Sequence, residues 1–149
     1  MNQPFYEFTI LDEALRYEFV SAGKSIIHKV VSISHTDSDN LFTLTLADIR
    51  LDGSLDTHIA SNNGDLEAII ATVIKCLETF FVYYPAAAVA FTGSEPRRMR
   101  LYQIILNREL TSLQPRFNIW GISVEGIVTF TPNHTYEGFI VSLKSVIIA

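Results

Sequence analysis

The spacing of apolar residues changes abruptly after residue 62, and that change constrains the fold more than any other feature. Before it the apolar residues alternate. Ser25 to Ser34 sets Ile27, Lys29, Val31 and Ile33 against Ile26, His28, Val30 and Ser32. Leu41 to Ile49 sets Phe42, Leu44 and Leu46 against Thr43 and Thr45. A period of two is that of a strand with one buried face. After residue 62 apolar residues fall at 66, 69, 70, 73, 74, 77, 80 and 81. That spacing predicts an amphipathic helix of about five turns over Leu66 to Tyr84. Asn63 or Asp65 can cap it, and Pro85 ends it.

The other elements follow from local signals. Tyr17-Glu18-Phe19-Val20 reads as a strand closed by the turn at Ser21 to Lys24. Asp52-Gly53-Ser54 is a turn, and Asp56 to Ser61 a short fourth strand. Ala86 to Thr92 reads as an apolar strand. Ser94 can cap a second helix, with Pro96 in its first turn and an end near Thr111. Phe117 to Val124 and Ile127 to Thr131 form a hairpin, and Gly138 to Ile148 a last strand. The order ββββ-α-β-α-ββ-β predicts an α+β domain over 1–149: a mostly antiparallel sheet with two helices.

Composition narrows the class. Hydrophobic residues make up 48% of the 149 and net charge is −5, which excludes a disordered chain. One cysteine excludes an internal disulfide. No signal peptide is expected from the start of the sequence, and no apolar run reads as a membrane span. The expected setting is cytoplasmic, with no membrane partner.

The charge is unevenly spread. Residues 1–93 carry five Lys or Arg against twelve Asp or Glu. Residues 94–116 carry five arginines, at 97, 98, 100, 108 and 116, against Glu95 and Glu109. This pattern does not suit broad coating of nucleic acid. It suits one compact anionic contact.

The segment Thr92-Gly93-Ser94-Glu95-Pro96-Arg97-Arg98-Met99-Arg100 crosses from strand to helix. A first helical turn presents unpaired N–H groups and the positive dipole end. Arginines there are unfavourable by roughly 0.3–1 kcal/mol per charge, which a bound anion would offset. Gly93 would permit close backbone approach and Ser94 would add a hydroxyl. On a helical wheel Arg97, Leu101, Ile104 and Arg108 share one side, which places Arg97 and Arg98 partly against the core. The alternative is a structural ion pair with Asp65, Asp56 or Asp48. The loop Ser61-Asn62-Asn63-Gly64-Asp65 also leads from a strand into a helix. If the strands preceding the two helices are parallel neighbours, both loops emerge at one sheet edge. Asn63-Gly64-Asp65 acting only as a helix cap is the plainer reading.

These two loops resemble those of an uncharacterised bacterial family, a domain of unknown function. Its members carry Ser-Asn-Asn-Gly-Asp before the first helix and Gly-Ser-Thr-Pro-x-Arg-x-Arg-Leu-Tyr at the second. Ser61, Asn62, Asn63, Gly64 and Asp65 match the first motif. Gly93, Ser94, Pro96, Arg98, Arg100, Leu101 and Tyr102 match the second. Glu95 replaces a threonine, removing a hydroxyl and adding a negative charge. The likeness spans most of the chain and implies no activity. The strands-then-helix start is also similar, in topology alone, to the single-stranded nucleic-acid-binding Whirly and Pur-alpha folds.

The ligand-binding residues expected are therefore Ser61, Asn62, Asn63, Asp65, Gly93, Ser94, Arg98, Arg100 and Tyr102. The expected function is a non-enzymatic module for an anionic small molecule or single-stranded nucleic acid. A homodimer is compatible with the chain. The alternative is an enzyme on a phosphorylated or nucleic-acid substrate, with Asp65 or Tyr102 carrying protons, or a structural domain with paired arginines. No catalytic residue, cofactor or metal is assigned. His28, His35, His58 and His134 lack metal spacing. Cys76 has no histidine implied beside it. Asp48, Asp52 and Asp56 lack the EF-hand order. Phe80 and Phe81 suit core packing better than stacking, and Trp120 alone is no base platform.

Overall fold

The computed structural model describes residues 4–56, 63–92 and 96–146. The chain divides into two compact units. One comprises Asn2–Ser34 and Thr45–Tyr84, the other His35–Leu44 and Pro85–Ala149. Nine strands pair among the described residues, in the order β1-β2-β3-β4-β6-β9-β7-β8 with β5 on β4. Their ranges are β1 Thr9–Leu11, β2 Arg16–Ala22, β3 Ile26–His35, β4 Leu41–Ile49, β5 Leu55–Asp56, β6 Ala88–Thr92, β7 Phe117–Ser123, β8 Gly126–Thr129 and β9 Gly138–Leu143. The helices are α1, Leu66–Tyr83, and α2, Pro96–Leu113. The expected α+β class and element order are present.

In the first unit β2 pairs antiparallel with β1 and β3. Tyr17, Phe19 and Ser21 point to one face of β2 because strand side chains alternate, and all three are buried. Val31, Lys29 and Ile27 stand opposite them on β3. Burying Lys29 requires a counter-charge, and Asp48 of β4 supplies it in a buried ion pair. The periodic stripe of α1 buries Ile69, Ile70, Val73, Leu77, Phe80 and Phe81, with Cys76 fully covered. The Tyr84 N–H closes the helix on the Phe80 carbonyl at 2.8 Å, immediately before Pro85.

Two features here have no counterpart in the sequence reading. β1 is exposed at all three positions, so no apolar period announces it. Asp12, Glu13 and Ala14 then form a 3-10 turn with φ of 52°, 58° and 67°. Left-handed backbone costs a non-glycine residue roughly 1–2 kcal/mol, so three in a row need firm anchoring. Leu15 N–H to the Asp12 carbonyl, 3.1 Å, and Tyr84 Oη to the Glu13 carbonyl, 2.9 Å, supply it.

In the second unit β6 pairs parallel with the start of β4, Leu41 opposite Ala88, and antiparallel with β9. β9 pairs with β7, and β7 with β8 in a hairpin. The parallel neighbour of β6 is thus β4; β5, which precedes α1, runs antiparallel to β4. Beyond Asp56, the strand expected over Asp56 to Ser61 lies outside the described residues. Val89 and Phe139 are fully buried, with Phe117, Ile119, Phe130 and Val141 nearly so. Trp120 packs on a small cluster of Ala88, Ala90 and Ile140. On α2 the buried residues include Met99 and Leu113, whereas Ile104 is 51% exposed and Arg108 is exposed. The helix is therefore rotated from the expected wheel. The Ile104–Arg108 side faces solvent, because Met99 and Leu113 anchor another face.

Candidate functional site

The start of α1 is a dense polar clasp. The Asn63 side chain is buried and its four hydrogen-bonding positions are all taken. Nδ2 donates to Ser21 Oγ at 2.8 Å and to the Ser25 carbonyl at 2.9 Å. Oδ1 accepts from Ser25 N–H at 2.8 Å and Ser25 Oγ at 3.2 Å. The Asn63 carbonyl accepts from Lys24 N–H at 2.8 Å. One asparagine thus holds both sides of the β2–β3 turn. A Cβ on Gly23 would lie 1.9 Å from that carbonyl oxygen, so this turn needs glycine at its closest approach. Gly64 follows with φ +79°, which turns the chain into the helix.

Asp65 occupies the N-cap position, but its side chain makes no cap bond. The capping expected of Asn63 or Asp65 is replaced by tertiary contacts. Asp65 Oδ2 accepts from Tyr6 Oη at 2.6 Å and from Ser21 Oγ at 2.5 Å. Asp65 Oδ1 is buried with no hydrogen-bond partner among the described residues. Burial, and next the hydrogen bond to Asp65, push the Tyr6 phenol above its ordinary value. The Tyr6 N–H also donates to Thr72 Oγ1 of α1 at 2.9 Å, and its ring stacks on Phe19. Tyr6, Ser21 and Ser25 are the partners the sequence reading missed. They lie 59, 42 and 38 residues from their partners in the loop, so no local signal connects them.

The carboxylates considered as arginine partners are engaged within their own unit. Asp48 pairs with Lys29, Asp56 with Arg50 at 3.0 Å, and Asp65 binds the two hydroxyls.

The start of α2 is built differently. The helix begins at Pro96, and its first turn holds no acidic residue. Met99 is buried, Arg100 is exposed and Tyr102 is half-buried. Gly93 and Ser94 lie outside the described residues, as do Ser61 and Asn62 of the other loop and His58. For Arg98 only the helical backbone is described. Of the expected site residues, the structure brings Asn63 and Asp65 together, through Ser21.

The remaining candidates are accounted for by packing and turns. Burial pushes the Cys76 thiol up to about 12, which keeps it protonated and poorly nucleophilic. Asp52 accepts from Ser54 N–H and Ser54 Oγ; those bonds close a turn and hold its carboxyl below the usual range. The His35 ring packs on Phe42. Among the described residues no group of three or more His, Cys, Asp or Glu is placed to hold a metal ion. None of their helices is long and apolar enough to cross a membrane.

The strand order, the two helices and the clasp define an α+β fold whose first loop motif, as far as it is described, is committed to that fold. The chain belongs to a family of unknown function, DUF6934, whose model matches residues 2–144. No curated protein and no solved structure matches the chain.

Proposed function

We propose that this domain is a non-enzymatic binding module for an anionic group, held at the arginine-bearing start of α2. The observation that carries this reading is a first helical turn without an acidic residue, followed by an exposed Arg100. Arginines at the positive end of a helix repel its dipole, and an anion there would reverse the sign of the interaction. Arg98 and Arg100 would supply the charge, Gly93 and Ser94 backbone and hydroxyl donors, and Tyr102 a flanking contact. The ligand class is a phosphate-bearing small molecule or single-stranded nucleic acid, in a cytoplasmic setting. Binding is favoured over catalysis because Asp65 is held by two hydroxyls and Cys76 is buried.

A thermal-shift screen with inorganic phosphate, nucleotides and short oligonucleotides tests the reading. A ligand at about a hundred times its Kd stabilises the native state by about 2.7 kcal/mol. Arg98→Ala combined with Arg100→Ala should abolish the shift. No shift in the unmutated protein, or an undiminished one in the double variant, would sink the proposal.

A further inference from the structure

We propose that the cleft between the Asp12–Ala14 turn and the end of α1 binds an organic ammonium cation. The cleft has a volume of about 520 Å³. Ile10, Leu11, Asp12 and Glu13 form one wall, Tyr83 and Tyr84 the other. This site lies in the first unit and is independent of the anion site on α2.

The occupant follows from charge and wall chemistry. Asp12 and Glu13 are adjacent, exposed carboxylates, and neither has a cationic partner among the described residues. An anion is therefore disfavoured in the cleft. A hard metal ion takes six or more oxygen ligands, and two carboxylates on one turn fall well short of that. An ammonium group attached to carbon needs fewer. Carboxylates take its charge, and aromatic and aliphatic surface takes its alkyl part. Tyr83 is 60% exposed, and Ile10 and Leu11 are 43% and 36% exposed. Tyr84 is held in place, stacked on Phe80 at 4.8 Å and donating to the Glu13 carbonyl. That hydrogen bond ties the left-handed turn to the end of the helix, so the two carboxylates stand on fixed backbone. A cation entering the cleft therefore has little backbone ordering left to pay for.

The ammonium can come from a free polyamine or from a lysine side chain of a peptide, and the probes separate the two. The protein, labelled with ¹⁵N, is titrated at low salt with spermidine, with N-acetyl-lysine amide and with tetramethylammonium. Binding in the cleft shifts the amide resonances of Asp12, Glu13, Ala14, Tyr83 and Tyr84 together. Saturation by spermidine with little response to the lysine amide identifies a free polyamine; the reverse identifies a side chain. Asp12→Asn with Glu13→Gln should weaken binding by about tenfold, and Tyr83→Ala by about fivefold. Asp37→Asn with Asp39→Asn removes the same charge from an exposed loop elsewhere and should leave affinity within about twofold. If none of the probes shifts these amides, or if both acid pairs weaken binding equally, the proposal is overturned.

Discussion

The two helix starts resemble each other in sequence and differ in use. Each is preceded in the sequence by a short polar segment containing glycine, Ser61 to Asp65 and Gly93 to Glu95. At α1 the polar groups turn inward: Asn63 satisfies both sides of a turn, and Asp65 gathers two hydroxyls. At α2 the first turn carries arginines without an acidic residue, and Arg100 is exposed. At α1 the helix N-terminus closes the fold, because distant residues supply its partners; under the proposed function, the α2 start would meet a ligand instead.

The largest test of that contrast is Asn63→Ala. It removes four side-chain hydrogen bonds and leaves Ser25 N–H unmatched, so unfolding free energy should fall by about 3 kcal/mol in urea titration. A loss under about 1 kcal/mol would break the contrast and return this asparagine to the ligand-binding candidates.

A second test exploits the protonated groups buried in the α1 unit. Burial raises the pKa of Cys76 to about 12, and burial first of all raises those of Tyr17 and Tyr6. The native state then holds these protons more tightly than the unfolded chain. That stability is complete below the ordinary values of 9.0 for cysteine and 10.0 for tyrosine, and is lost as pH rises beyond them. Unfolding titrations from pH 7 to pH 11 should show the loss begin near pH 9, reaching roughly 1 kcal/mol by pH 10. Cys76→Ala should delay its onset to the tyrosine range. A loss that still begins near pH 9 in that variant would assign it to other groups.

The smallest effect is expected at α2. Arg100→Ala should change stability by no more than about 0.5 kcal/mol, because the side chain is exposed. A larger destabilisation would show that this arginine serves the fold, and the two helix starts would then be alike.

Much of the architecture was legible because it rests on period. The helix expected over 66–84 is α1 at Leu66–Tyr83, and the strand expected to span Leu41 to Ile49 is β4 at the same bounds. β1 escaped notice because three exposed residues have no period. The rotation of α2 escaped notice because its wheel offers apolar residues on more than one side. Of the site, the polar loop before α1 was visible, but its purpose was not. Cap residues are recognised by neighbours three positions away, whereas Tyr6, Ser21 and Ser25 arrive from distant strands and turns.

By itself the sequence determined the element order, the α+β class and the concentration of arginine at the start of α2. Each depends on residues near one another in the chain, where period, turn chemistry and charge act directly. Only the tertiary structure decided that Asn63 and Asp65 clasp the β2–β3 turn, that Lys29 is buried against Asp48, and that a strained turn faces Tyr83 and Tyr84 across a cleft. Those outcomes depend on which distant partner satisfies each polar group. Water supplies that partner in the unfolded chain, and the folded chain must find it within itself.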